Sequence, residues 1–275
     1  MIVTGAHSRG GSIDLELWHV PSGLELKAVL ELDRTLPEFT LKMDGDGELL
    51  GPLVYPCPFI SAGGDRLIVP MNEGISYPVE DKSIETFRLI AYGGHGICMA
   101  FWGVSDDRQG YCTIIETPDD AAIRLRRLDG LLAVGPEWDP QKGRFGYGRR
   151  LRYVFFDQGG YVAIAKRYRQ YARQGGRLKT LAEKRQENPK IDLLMGAVNV
   201  WNWDSDPVEL VQAMQAAGIQ HILWSRGGAP EALRSLNRLN VLTSRYDIYQ
   251  DVMNPDNFQT GLVQCPLRHP AHVYV

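Results

Sequence analysis

The chain has 275 residues, of which 44% are apolar and 23% charged, with 29 Gly and 16 Pro. This is the composition of a folded, turn-rich protein rather than a disordered chain, and a length prior of about 100–200 residues per domain predicts two domains. Lys and Arg number 30 against 33 Asp and Glu, giving a net charge of −3. Because nucleic-acid binders carry a basic excess, the charge argues against that class.

Membrane, secretion and metal signals are missing from the sequence. It contains no apolar run of about 18 residues, so no membrane span is expected. The first residues lack the charged start and apolar core of a signal peptide, which favours a cytoplasmic location. Cys57, Cys98, Cys112 and Cys265 are far apart and form no Cys-x-x-Cys pair, so a zinc site is not expected. We predict neither a metal nor a cofactor.

The first part of the chain alternates apolar and polar residues. Leu24, Leu26 and Ala28 belong to one such pattern, and a period of two predicts half-buried strands. Further strand-like runs, separated by clusters of Gly, Asp and Pro, occur at 13–17, 39–43, 67–69, 87–92, 97–102, 111–116, 122–128 and 151–156. Many short strands without intervening helices predict an antiparallel β-sandwich over residues 1–158.

After residue 158 the apolar residues change to helical spacing. Tyr161, Ile164 and Tyr168 recur at intervals of three and four, which predicts an amphipathic helix. The polar residues 179–189 that follow are interpreted as a linker. Residues 159–190 are therefore predicted to be a connecting helix and linker.

The last part, residues 191–275, alternates strand-like and helix-like segments. A continuous apolar run at 191–201 is typical of a strand buried on both faces. Helices are predicted at 208–217 and 230–239, and further strands at 221–225 and 241–246. This alternation indicates parallel strands joined by helical crossovers.

Three such units are too few to close an eight-stranded barrel, which needs roughly 200 residues or more. Two interpretations remain open: the first units of a (β/α) TIM-type barrel in a truncated chain, or a small open α/β layer stacked on the sandwich. The final residues look like the start of another strand, which favours the truncated barrel. The expected fold class is therefore multidomain, a β-sandwich followed by a partial barrel.

Aromatic and polar residues follow each predicted parallel strand. Ligands of parallel α/β proteins bind beyond the carboxyl ends of the strands. Aromatic rings can stack on the C–H face of a sugar while Asn, Arg and Asp bind its hydroxyl groups, so the pattern predicts a carbohydrate site. The expected binding residues are Trp201, Trp203, Asp204, Arg226, Tyr246, Asp247 and Tyr249.

Glycoside hydrolysis usually needs two carboxyl groups, about 5–5.5 Å apart for retention of configuration and roughly 6.5–9.5 Å apart for inversion. Asp204, Asp247 and Asp251 are the available candidates, and their spacing does not choose a pair. Asp247 is better assigned to binding substrate hydroxyls than to nucleophilic attack. The catalytic pair is expected on later strands of a full barrel.

Segments spread over most of the chain resemble a family of bacterial glycoside hydrolases similar to endo-α-N-acetylgalactosaminidases and α-N-acetylgalactosaminidases. They lie at 67–74, 145–147, 159–169, 179–184 and 246–251. The resemblance implies a galactose-mutarotase-like β-sandwich followed by a (β/α)8 barrel that acts on α-linked sugars with retention. It implies a nucleophile and an acid/base on middle barrel strands, beyond residue 275, so no catalytic pair is carried over.

Two other classes of function remain possible from the residues alone. In a non-catalytic carbohydrate-binding module, the sandwich itself would hold glycans through exposed aromatic residues such as Tyr55, Trp102 or Trp138. In a purely structural or interaction domain, no sugar would bind. Glycan binding by residues 1–158 alone would favour the module.

Overall fold

The computed structural model describes residues 1–72, 74–91, 96–140 and 143–244. The chain forms two compact units, Met1–Gln174 (unit 1) and Gly175–Val275 (unit 2). The domain boundaries predicted after residues 158 and 190 stay predictions.

Unit 1 is built from strands. Their bounds in the described residues are β1 (Ile2–Arg9), β2 (Ser12–His19), β3 (Leu24–Leu32), β4 (Glu38–Asp44), β5 (Gly47–Glu48), β6 (Arg66–Val69), β7 (Ile75–Pro78), β8 (Arg88–Ile90), β9 (Phe101–Ser105), β10 (Gly110–Ile115), β11 (Ala121–Leu128), β12 (Leu131–Trp138), β13 (Arg144–Phe145) and β14 (Arg149–Phe156). Nine of them form one antiparallel sheet in the order β1-β2-β3-β4-β14-β10-β9-β6-β7. A second sheet has the order β12-β11-β8, and β5 pairs with β13.

The two larger sheets share one apolar core. Alternate residues of a strand point to opposite faces, so Leu24, Leu26 and Ala28 of β3 are buried while the residues between them are exposed. Facing them, Ile123 of β11 and Val134 of β12 are buried in the same cluster. The expected β-sandwich is therefore confirmed, whereas its galactose-mutarotase-like character stays a prediction.

Helix α1 (Gly160–Gln174) covers the opposite face of the nine-stranded sheet. Its Ile164 packs with Phe101, Cys112 and Val154. The helix comes so close to the sheet at Gly103 that a Cβ there would lie 2.5 Å from Ile164 Cδ1. Burial in this layer raises the pKa of the Cys112 thiol.

A buried ion pair also holds α1 to the sheet. The guanidinium of Arg167 donates two hydrogen bonds to Glu38, at 2.6 and 2.8 Å, and Arg152 of β14 donates a third at 3.2 Å. Glu38 is only 3% exposed, so its charge is neutralised by arginines rather than by water.

Unit 2 contains a parallel sheet whose strands are connected along the chain by helices. Its elements are α2 (Leu181–Glu187), a 3₁₀ turn (Pro189–Leu194), β15 (Val198–Val200), α3 (Pro207–Ala216), β16 (Ile222–Trp224), α4 (Pro230–Arg238) and β17 (Leu242–Thr243). The strand order β15-β16-β17 follows the chain, and both pairings are parallel. The predicted alternation of strands and helices is thus present, but a partial barrel is not shown and stays a proposal.

The start of α3 follows from local chemistry. Asp206 is the N-cap and accepts hydrogen bonds from the N–H groups of Val208 and Glu209, at 2.9 and 3.0 Å. Pro207 occupies the first turn, where no N–H partner is needed. Because Asp206 caps the helix, α3 begins at Pro207, a few residues after β15 ends.

The two faces of the parallel sheet differ. Val211 of α3 and Leu236 of α4 bury Ile222 and Trp224 on one face. Leu223, which points the other way, is only half-buried, as is Leu242 of β17. One face of the sheet is therefore closed by α3 and α4, and no α-helix of the described residues packs on the other, which we call the open face.

Several predictions of individual elements are wrong. The strand predicted at 97–102 begins only at Phe101, and the run at 191–201 contains a 3₁₀ turn and then the short β15 rather than a strand buried on both faces. Val198 is 43% exposed, and β15 lies at the edge of the described sheet. The predicted linker 179–189 contains α2, which Thr180 and Glu183 start with a reciprocal capping box.

In the described part of the chain, none of the helices is long and apolar enough to cross a membrane.

Candidate functional site

Two tryptophans form an exposed aromatic surface immediately after β15. Trp201 is 45% and Trp203 57% exposed, and their rings stack with centroids 5.8 Å apart and planes inclined by 27°. Large aromatic side chains usually lie in the core, so a stacked pair in solvent is a feature to explain. The pair lies at the carboxyl end of a parallel strand, where α/β proteins bind ligands.

Asn202 holds the turn between the two tryptophans and α3. Its Oδ1 accepts hydrogen bonds from the N–H groups of Asp204 at 3.0 Å and Ser205 at 2.9 Å. Its main-chain carbonyl accepts a hydrogen bond from Nη1 of Arg226 at 3.3 Å. Arg226, which follows β16, therefore ties the ends of two neighbouring strands together.

A chain of hydrogen bonds crosses the ends of all three parallel strands. Ser244 Oγ, just after β17, donates to Ser225 Oγ at 3.3 Å, and Ser225 Oγ donates to Asn199 Oδ1 at 2.6 Å. Ser225 is only 4% exposed, whereas Asn199 is exposed. This series of hydrogen bonds therefore begins and ends at exposed side chains and passes through the buried hydroxyl of Ser225.

The turn after β16 is fixed by a buried tryptophan. Trp224 is fully buried, and its Nε1 donates a hydrogen bond to the carbonyl of Gly227 at 2.7 Å. Gly227 and Gly228 have φ angles of 85° and 149°, which side chains rarely allow. This glycine turn directs the chain away from the sheet directly after Arg226.

The arrangement combines the groups that bind sugars. Stacked aromatic rings offer a flat apolar surface, and Arg226 and the exposed Asn199 offer hydrogen-bond donors. Asp204, exposed beside Trp203, offers a carboxylate acceptor. A ligand with both C–H faces and oxygen atoms suits this mixture.

The structure places four of the seven predicted binding residues at the ends of β15 and β16. Trp201, Trp203 and Asp204 lie on one loop, and Arg226 reaches that loop through Asn202. Tyr246, Asp247 and Tyr249 lie outside the described residues. Their role stays a prediction.

Sequence reasoning missed the polar residues that organise the site, namely Asn199, Asn202, Ser225 and Ser244. Asn199 carries a usable signal, since an amide within an apolar strand needs a hydrogen-bond partner. The serines carry no comparable signal, because small hydroxyl residues are common at strand ends.

The aromatic residues suggested for glycan binding by the sandwich are not exposed. Trp102 is 1% exposed and Trp138 is fully buried in the core between the sheets. Tyr55 is half-buried, and its carbonyl accepts a hydrogen bond from Trp138 Nε1 at 2.8 Å. Trp102 and Trp138 are therefore core residues rather than exposed aromatic residues, while the binding-module hypothesis itself stays a prediction.

Among the residues that the structure describes, no three His, Cys, Asp or Glu side chains come together as a metal site.

Comparison with known proteins gives a likeness of structure but not of sequence. No protein-family model matches the chain, and none of the curated proteins matches it. The α-N-acetylgalactosaminidase NagBb from Bifidobacterium bifidum, in its GalNAc complex, matches with a TM-score of 0.71 and 18% identity. The match covers 88% of this chain and 50% of NagBb.

A second NagBb structure, the complex with Gal-NHAc-DNJ, matches with a TM-score of 0.71 and 17% identity over 88% of this chain and 49% of that one. The GH36 α-galactosidase AgaB from Geobacillus stearothermophilus reaches a TM-score of only 0.42, which supports no inference. The chain thus has a fold related to that of a glycoside hydrolase and spans about half the length of NagBb.

Proposed function

We propose that this chain is the N-terminal part of a glycoside hydrolase that acts on α-linked sugars, with an N-acetylhexosamine as the bound sugar. The fold likeness to NagBb, whose structures are complexes with GalNAc and Gal-NHAc-DNJ, supports the class of enzyme and of ligand. Because the match covers half of NagBb, we assign the activity to a longer protein that contains this chain.

The observation that carries the proposal is the exposed tryptophan pair. Trp201 and Trp203 stack on each other at a strand end and are 45% and 57% exposed, and Arg226 and Asp204 supply charged groups on the adjoining turns. Trp224, by contrast, is fully buried, and its Nε1 is hydrogen-bonded within the chain.

The open face of the parallel sheet supports a partial barrel. The strands follow one another in chain order, and the helices cover only the face that carries Ile222 and Trp224. In a (β/α)8 barrel the other face lies inside, where side chains from all the strands fill the interior in layers. Leu223 and Leu242 are the residues that this interior would bury.

In the mechanism proposed, the residues described here bind and the catalytic carboxylates lie beyond residue 275. A carboxylate attacks the anomeric carbon and expels the leaving-group oxygen, which a carboxylic acid protonates. Water then attacks the glycosyl-enzyme, and configuration is retained. The tryptophans hold the ring in place throughout.

Calorimetric titration of the chain with GalNAc tests the proposal. Trp201→Ala removes one ring of the pair and should weaken binding about two- to tenfold, since stacking contributes about 0.5–1.5 kcal/mol and 1.4 kcal/mol is tenfold. Trp18→Ala is the matched control, because Trp18 is 40% exposed but lies on β2 of unit 1.

An unchanged affinity in Trp201→Ala would refute the binding role of the pair. A loss in Trp18→Ala instead would move the site to the sandwich and favour a non-catalytic binding protein. If the unaltered chain bound no sugar, a structural domain would be the better reading.

A further inference from the structure

Unit 1 has a groove beside helix α1, on the face of the nine-stranded sheet that the helix covers only in part. α1 packs against β9 and β10, and β6 and β7 continue the same face to the edge of the sheet. The groove beside the helix has a volume of about 530 Å³. We propose that it binds a small aliphatic carboxylate, with the charged end on Arg66 and the hydrocarbon part against α1. This site is independent of the proposed function.

The floor and one wall of the groove are apolar. Ile68 of β6 and Phe101 of β9 form the floor, and Ile164 and Ala165 of α1 form the wall. Phe101 is 4% exposed and Ile164 is fully buried, so the packing of α1 on the sheet holds both in place. Because these four side chains have no hydrogen-bonding groups, the surface suits hydrocarbon and not the hydroxyl groups of a sugar.

The size of the groove suits a small molecule. Binding sites for small molecules are concave, mostly apolar and about 300–1,000 Å³ in volume. Arg66 and Val69 both line the groove, and three residues of a strand extend about 10 Å. At the rim, Met99 is 44% and Tyr161 60% exposed. A hydrocarbon chain along β6 would cover part of this apolar surface, which favours binding.

Arg66 places a positive charge at one end of the groove. Its Nε donates a hydrogen bond to Ser76 Oγ at 2.7 Å, and its Nη2 donates one to the Ser76 carbonyl at 3.2 Å. These two bonds hold the guanidinium against β7. Its Nη1 makes no hydrogen bond to a described residue, so this nitrogen can donate to a ligand.

The charge of Arg66 differs from the other arginine charges on this face of the sheet. Arg152 and Arg167 both donate hydrogen bonds to the buried carboxylate of Glu38. Arg66 has no carboxylate partner in the part of the chain that the structure describes. A guanidinium keeps its charge at all ordinary pH values and pairs well with carboxylates. The groove therefore combines an unpaired cation with an apolar floor, and an aliphatic carboxylate complements both.

Calorimetric titration of the full chain with three probes tests the proposal. Octanoate has both the charge and the chain, octanol has the chain without the charge, and acetate has the charge without the chain. Octanoate, kept below the concentration at which it forms micelles, should bind more tightly than octanol. Acetate should show no binding over the same range, because a single exposed ion pair contributes little.

Arg66→Gln tests the charged end. Octanoate should bind about tenfold more weakly, because its charge-assisted hydrogen bonds are lost. Octanol should change by less than about twofold, since the apolar contacts remain, and its unchanged binding also shows that the groove is still folded. Arg9→Gln is the matched control: Arg9 is exposed on β1, at the opposite edge of the sheet, and its replacement should change neither affinity.

Ala165→Phe tests the position of the site. Ala165 is exposed, so the larger side chain fills the groove without disturbing the core, and binding of octanoate and octanol should both be lost. Val162→Phe is the control, because Val162 is 41% exposed on the same helix and does not line the groove.

Equal losses of octanoate and octanol in Arg66→Gln would overturn the pairing with Arg66. Undiminished binding in Ala165→Phe would overturn the position of the site, and absence of octanoate binding by the unaltered chain would overturn the site itself. None of these results bears on the GalNAc titration, so the proposed function stands or falls separately.

Discussion

The two units cover their sheets in different ways. In unit 1 the central strands of the large sheet are covered on one face by the second sheet and on the other by α1. In unit 2, α3 and α4 cover one face of the parallel sheet, whereas Leu223 and Leu242 on the other face are only half-buried by the residues that the structure describes. Similar apolar side chains are therefore buried in unit 1 and partly exposed in unit 2. Their burial depends on what packs on each face of the sheet and not on the sequence of the strand itself.

The largest expected difference in unfolding free energy is between alanine variants of two tryptophans. Trp138→Ala removes a fully buried ring from the sandwich core and its hydrogen bond to Tyr55, so unfolding free energy should fall by about 3–5 kcal/mol. Trp203→Ala, in the 57% exposed ring, should cost about 0.5 kcal/mol or less. Urea unfolding followed by circular dichroism measures both. Similar losses would contradict the distinction between core and site.

The next pair tests the two faces of one strand. Ile222 is fully buried under α3 and α4, and its neighbour Leu223 points to the open face. Ile222→Ala should destabilise unit 2 by about 2–4 kcal/mol, and Leu223→Ala by about 1 kcal/mol or less. Hydrogen exchange at the amides of β16 reports the local stability. A larger loss in Leu223→Ala would mean that the open face is covered.

The smallest effect concerns a charged group that unit 1 buries. Glu137 lies on the outer face of the second sheet and contacts Arg88 at 2.9 Å, as well as Arg124 and Arg126. Burial alone would raise its pKa, but the hydrogen bonds from Arg124 and Arg88 prevail and hold the pKa of Glu137 below its ordinary value. Glu137→Gln should therefore lower the unfolding free energy by about 1–2 kcal/mol at pH 7.

The depressed pKa also fixes the sign of the pH dependence. The stabilisation by Glu137 is fully present above the pKa of an unfolded Glu, about 4.3, and is lost as the pH falls through the lower pKa of the folded state. Unfolding in urea at pH 7 and then at decreasing pH should show the difference between the unaltered chain and Glu137→Gln shrinking. The exposed Glu25→Gln is the control and should show no such difference at any pH.

Much of the fold could be predicted from the sequence, because strand alternation is a local signal. β3 alternates cleanly, since one face meets the core and the other meets water. β12 was missed, because Gly135 and Pro136 interrupt its apolar run. Gly135 is nevertheless suited to its position, where a Cβ would lie 3.2 Å from Pro58, a contact that only the tertiary structure reveals.

The candidate site was predictable at its aromatic surface but not in its hydrogen bonds. Trp201, Trp203 and Arg226 could be found, because the ends of parallel strands are known positions for ligands. The link from Asn199 to Ser225 joins residues on different strands, and their contact depends on the register of β15 against β16. Composition and periodicity carry no information on that register.

The strand order of the nine-stranded sheet also has a consequence for synthesis on the ribosome. β1 to β4 are consecutive in the chain and adjacent in the sheet, so each strand can pair with the preceding one as it emerges. The other edge of β4 pairs with β14, which is made only after the whole second sheet. Until then the backbone groups of Glu38–Asp44 that face β14 have no partner and form an exposed sheet edge, which can pair with another chain. Nascent chains stalled between residues 45 and 148 should therefore be the ones that depend most on chaperones.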